Sequence, residues 1–174
     1  MNWEAIGAMG ELGGAVAVVV TLVYLAIQIR QNTASVKSNT FQSVSDSFNT
    51  WALQIIGDPE VAKLYDCGLT DYDSLERIDR VRFFLLMSAQ FRNYENIYYQ
   101  HRQATLDREV WPARRDAMVE FLVHPGVQRW WRRRGGFFGE SFRAFVDAEL
   151  AKVASGAHDS SDVNGPADPL QKST

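Results

Sequence analysis

The chain has one cysteine, Cys67, and three histidines, His101, His124 and His158, in separate segments. A lone cysteine excludes an intrachain disulfide and, with no CxxC partner, the common redox and zinc-thiolate motifs; it fits a reducing compartment. Glu95 and His101 lack the Glu-x-x-His spacing of bundle di-metal sites, so no metal is expected, nor any other cofactor. No alternating apolar–polar run of useful length is present, which excludes a sheet. A glycine-rich phosphate loop has no strand to follow, and "GGFFG" at Gly135 to Gly139 reads as helix punctuation. Nor is there an excess of positive charge: 18 lysines and arginines against 21 acids leave a net charge of −3. Nucleic acid is therefore not an expected partner. No segment proposes a nucleophile with its base, so no catalytic residue is assigned. At 174 residues one compact domain with appendages is expected.

What the chain does have is the run "LGGAVAVVVTLVYLAIQIRQN", Leu12 to Asn32. From Leu12 to Ile27 no side chain ionises, and Leu12–Ile29 as a helix spans about 27 Å, close to the hydrocarbon thickness of a bilayer. A cleaved signal peptide does not fit, because Glu4 and Glu11 stand where a basic region belongs and no small-residue cleavage site follows. A soluble helix buried on all sides would need partners around its whole circumference, more than a body of this size supplies. The reading is a single transmembrane helix over residues 12–29, with 1–11 as a short extracytoplasmic terminus. Arg30 and Lys37 follow the run while acids precede it, so the positive-inside bias predicts N-out, C-in, with the body in the cytoplasm. Gly7, Gly10, Gly14, Ala17 and Thr21 repeat at steps of three and four, a small-residue stripe suited to helix association and a homo-oligomer.

After Arg30 the pattern predicts an all-α cytoplasmic bundle over residues 30–154, about four main helices and two short ones, followed by a disordered tail over 155–174. The first helix ends before "GDP", with Phe41, Val44, Phe48, Trp51 and Ile55 on its buried face. A short helix from Pro59 is closed by Gly68. Asp73 with Glu76 suggests a capping box opening the longest body helix, to about Ala104; further helices are expected from Asp107, at "VQRWWRRR", and from Glu140 to Ala154.

The stretch "RFFLLMSAQFRNYENIYYQHR" reads as the bundle's central helix. On it Val81, Leu85, Ser88, Arg92, Glu95, Tyr99 and Arg102 form one line. If that line is buried its charges must pair, either to fix helix register or to build a small-ligand or enzymatic site from Arg92, Glu95, Tyr99 and His101. The second candidate is Trp130, Trp131, Arg132, Arg133 and Arg134, indole rings beside a cationic cluster. It suits an anionic leaflet or a phosphate-bearing ligand; otherwise the tryptophans belong to the core and the arginines to a solvated helix end.

The opening "MNWEAIGAMGELGGAVAVVVTLVYLAIQIRQNT", with "FRNYENIYYQHR", "HPGVQRWW" and "FRAFV", resembles a group of short, functionally uncharacterised bacterial proteins with an N-terminal membrane helix and a helical body. That resemblance implies a membrane-anchored class and brings no activity, cofactor or site residue with it. The function expected is a non-enzymatic single-pass protein displaying a helical interaction domain, its partners being the lipid bilayer and a second copy.

Overall fold

The structure is a computed structural model that describes residues 3–156, the side chains of 3–10 and 12 excepted. The described residues are all-α: α1 (Trp3–Ile56), α2 (Pro59–Thr70), α3 (Arg77–Arg102), α4 (Val110–Val123), α5 (Pro125–Arg134) and α6 (Glu140–Ala154). Four main helices and two short ones is the expected count. The tail expected from 155 onward falls, beyond Gly156, outside the described residues.

α1 is one uninterrupted helix of 54 residues, running from the apolar stretch straight into the body. Only its last part packs: Val44 and Trp51 are buried and Phe48 and Ile55 rest against the core. Phe41, expected on that face, is instead 51% exposed. The Trp51 indole donates to the Leu86 carbonyl at 3.1 Å, pinning α1 to α3.

α3 touches every other helix. Its buried face, Phe83, Met87, Phe91, Tyr94 and Ile97, meets Leu64 of α2, Met118 and Leu122 of α4, Val127 and Trp130 of α5, and Phe142 and Val146 of α6. Each fully buried side chain of this size contributes roughly 1.5–3 kcal/mol, so this one helix organises most of the burial.

Three boundaries differ from the sequence reading, two of them because a distant partner intervenes. Asp73 does not cap α3; it lies in a 3₁₀ turn and its carboxylate pairs with Arg129 at 2.8 Å. Asp107 precedes α4 by a turn, accepting from the Glu109 amide. Gly68 does not end α2 but sits inside it, buried, where a Cβ would lie 2.1 Å from the Phe83 ring. Its carbonyl oxygen would lie 1.8 Å from a Cβ on Gly126, so the two short helices cross backbone to backbone.

Candidate functional site

The polar line of α3 is not buried. The helix turns Phe83, Met87, Gln90, Phe91, Tyr94 and Ile97 inward, which leaves Val81, Leu85, Arg92, Tyr99 and Arg102 on the open side. The expected internal Arg/Glu/Tyr pocket is therefore replaced by a surface arrangement, because α3 carries large apolar residues around most of its circumference and the aromatic face has the stronger claim on the core.

Arg92 and Glu95 do pair, at 2.6 Å. The pair acts as a clamp across the fold: Arg92 donates to the Phe137 carbonyl at 2.8 Å and lies 4.5 Å over the Phe138 ring, while Glu95 accepts from the Gly139 amide at 2.6 Å. Gly139 is the N-cap of α6 and offers no side chain, so Glu95 takes up the amide there and adds its charge to that of Glu140 in the first turn. Beside this clamp opens a cleft of about 560 Å³ lined by Asn96, Tyr98, Tyr99, Arg102 and Ser141 among others. Tyr99 is 61% exposed on its rim. His101 takes no part; its ring stacks on Trp111, centroids 5.0 Å apart.

The "RWWRRR" segment divides. Trp130 and Trp131 are 2% and 3% exposed, core residues packed with tilted rings around Phe91 and Phe138, and so not membrane-surface contacts. Arg132, Arg133 and Arg134 are exposed. Arg134 lies 4.4 Å over the Phe84 ring and Arg133 6.0 Å over Tyr72. Together with Arg80, Val81 and Trp130 these residues enclose a recess of about 130 Å³. Nothing local in sequence joins Arg80 or Tyr72 to this cluster; the fold brings them there.

A buried charge that the sequence reading missed is Glu149, 3% exposed on α6. Arg115 reaches it at 3.0 Å and Lys152 at 2.9 Å. Burial raises its pKa, but the hydrogen bonds and charges of Lys152 and Arg115 outweigh burial and hold it below the ordinary carboxylate range. The Lys152 contact was legible as an i,i+3 pair, whereas Arg115 lies on another helix. Burial also pushes the Tyr65 and Tyr94 hydroxyls up, Tyr94 to about 12, so both stay neutral at any physiological pH. Among the described residues no group of three or more His, Cys, Asp or Glu side chains is placed to hold a metal ion.

Comparison of the chain with protein-family models, with curated proteins and with solved structures finds no match. The site must be read from its own geometry.

Of the helix-association residues, Gly14, Ala17 and Thr21 are exposed, with open space around Gly14. Gly7 and Gly10 lie on helical backbone, outside the residues whose surroundings are described.

Proposed function

We propose that the protein is a non-enzymatic, single-pass membrane protein that displays a helical interaction bundle on the cytoplasmic side. One observation carries this reading. The most apolar window of α1 has a mean hydropathy of 1.8 and none of it is buried; Val16, Val18, Val19, Val20, Leu22, Val23, Leu25, Ile27 and Ile29 all stand in the open. A contiguous apolar surface of that size is not left to water, and the chain's own downstream helices do not cover it. Lipid of about 30 Å thickness matches its length.

The spacing of the body from that stretch supports the same reading. Val36 lines a shallow groove between α1 and the body, shared with Gln100 and Thr105. Val36 is seven helical steps beyond Ile29, about 10 Å, close to one headgroup layer. The residues between, Arg30 to Ser35, are polar apart from Ala34. Under this reading the α3–α4 turn faces the leaflet, and Arg102 and Arg108 on it share the headgroup zone with Arg30 and Lys37. The arginines of α5 lie elsewhere: Arg134 covers Phe84, a neighbour of the Leu86 that Trp51 contacts. Trp51 is about 33 Å beyond Ile29 along α1, so Arg132, Arg133 and Arg134 stand well clear of the bilayer. Self-association through Gly7, Gly10, Gly14, Ala17 and Thr21 belongs to the same proposal.

Alkaline carbonate washing of membranes tests it. Retention of the full chain in the pellet is the expected result. Release into the supernatant would remove the span, and with it the sidedness and the lipid partner.

A further inference from the structure

The recess between α3, α5 and the turn that follows α2 is cationic, aromatic and free of carboxylates: its lining is Tyr72, Arg80, Val81, Phe84, Trp130, Arg133 and Arg134. Of the acids near it in sequence, Asp73 pairs with Arg129 at 2.8 Å and Asp79 with Arg82 at 3.8 Å, and Asp71 and Glu76 do not line it. Arg80 is anchored by its Nε and one Nη, which donate to the carbonyls of Leu75 and Asp73 at 2.6 and 3.0 Å, leaving its other Nη unused. Neither Arg133 nor Arg134 pairs with a carboxylate among the described residues; both are held over aromatic rings. Such stacking fixes a guanidinium plane while keeping its N–H edge available.

The second observation lies in the wall. Trp130 is almost wholly buried, yet its indole Nε1 finds no acceptor, whereas the neighbouring Trp131 gives its N–H to Asp147 at 2.8 Å. An unmade hydrogen bond in a buried donor is costly, and because Trp130 is a wall residue of the recess, a bound acceptor toward which its indole turns would restore that bond. A volume of about 130 Å³ has room for a handful of waters at about 30 Å³ each, or for one tetrahedral oxyanion with fewer.

We propose that this recess binds the phosphate group of a soluble ligand, Arg80, Arg133 and Arg134 supplying charge and forked donors and Trp130 the buried N–H. Phosphate suits the site because several guanidinium groups converge with no carboxylate to compete. The site itself does not rest on the membrane reading; only the choice of a soluble source over a lipid headgroup does, through the distance of Trp51 from Ile29.

The test follows the indole N–H resonances of the five tryptophans in the detergent-solubilised full chain during titration with inorganic phosphate at constant ionic strength. One indole resonance, Trp130, is expected to shift saturably. The double variant Arg133→Gln/Arg134→Gln should weaken that binding at least tenfold. Arg132→Gln, which removes a charge from the same helix end outside the recess, should leave it unchanged. Absence of a saturable shift, or equal weakening by Arg132→Gln, would overturn the pocket. A parallel arm places the chain in phosphatidylcholine or phosphatidylglycerol bicelles without added phosphate. A Trp130 shift with phosphatidylglycerol there, and none with inorganic phosphate, would overturn the assignment to a soluble ligand. Failure of the carbonate test with a positive phosphate titration would remove the span and leave the recess.

Discussion

The crossing of α2 and α5 is the most demanding contact in the fold, and Gly126→Ala measures it. A Cβ at Gly126 would sit 1.8 Å from the Gly68 carbonyl oxygen and 2.9 Å from that of Leu69. Carbon meets a carbonyl oxygen at roughly 3.3–3.6 Å, so one helix must retreat by about 1.5 Å. No side-chain rotation relieves the clash, because the obstructing atoms are backbone. The retreat would also strip contact from Leu64, Val127 and Trp130, all buried. Overpacking of well-filled cores costs about 1–3 kcal/mol, and a backbone collision belongs at or above the upper end. At about 2–4 °C per kcal/mol for a chain of this size, melting should fall by about 10 °C. Near-ultraviolet circular dichroism of the full chain in detergent reads it, since packed tryptophans on α1, α4 and α5 dominate the signal while the apolar stretch of α1 carries only the exposed Tyr24. Gly136→Ala, which meets nothing within 4 Å, is the matched control and should melt with the wild type. If Gly126→Ala melted within 2 °C of that control, on the order of half a kcal/mol, the backbone-to-backbone crossing would be wrong.

Four further outcomes follow from other contacts. Glu149 has a depressed native pKa, so its contribution is complete above the unfolded value and is lost as pH falls through the native one; Glu149→Gln should flatten that acid limb in melting curves below pH 5 and cost about 1–2 kcal/mol at neutral pH, less than a fully buried pair because both cations reach water. Glu95→Ala should expose the Gly139 amide, accelerating its hydrogen exchange at least about tenfold while changing global stability by no more than about 1 kcal/mol. Ala104 holds φ at 56° where α3 ends, with Thr105 N–H donating to Gln100 and its own N–H to His101; this is the position glycine favours, and Ala104→Gly should stabilise by about 0.5–1 kcal/mol in denaturant titration. With Cys67 replaced by serine, a cysteine introduced at Asn2 should react with an impermeant maleimide in intact cells and one at Ser155 only after lysis; the reverse pattern would invert the proposed topology.

Local signals in the sequence were enough wherever the cause of an element is local. Proline at the start of α2 and α5, the glycines before α6, and the apolar spacing of Val44, Phe48 and Trp51 each act within a few residues, and those elements appear where the pattern puts them. The failures share one physical origin. Asp73 looks like a cap until Arg129 takes its carboxylate, and Gly68 looks like a stop until Phe83 and Gly126 press against it. On α3 the 3.6-residue period was masked because Phe83, Phe84, Leu85, Leu86 and Met87 are consecutive, so the pattern alone does not choose the buried side. The adjacency of Arg92 and Glu95 survives, being a property of helix geometry, while their burial does not. Arg80 and Tyr72 beside Arg133 and Arg134 required the tertiary fold.

The two faces of α1 bear on how a second copy would approach. The body occupies one side, through Val44, Phe48, Trp51 and Ile55. The small-residue stripe of the apolar stretch continues past it at the same alternating steps, Ala17, Thr21, Tyr24, Gln28, Gln31, Ser35, Ser38 and Gln42, all exposed and leading to Asp46, Asn49 and Leu53; Gln42 and Asp46 also border the cavity between α1 and α3. A partner helix lying along Gly14, Ala17 and Thr21 would meet only exposed residues there. The chemistry changes along the seam, however. Under the proposed association the backbones would approach over small groups within lipid, where Thr21 Oγ1 and Gln28 Nε2 already donate along their own helix, to the Ala17 carbonyl and the Tyr24 hydroxyl. Beyond it, two parallel copies set Asp46 against Asp46, a like-charge pair in water-exposed surroundings. Association in this reading is confined to the segment before Arg30. Replacing Gly14 and Ala17 by leucine should abolish cross-linking in membranes, whereas Asp46→Asn should strengthen it at low salt; loss of association on the Asp46 change would place the seam in the body instead.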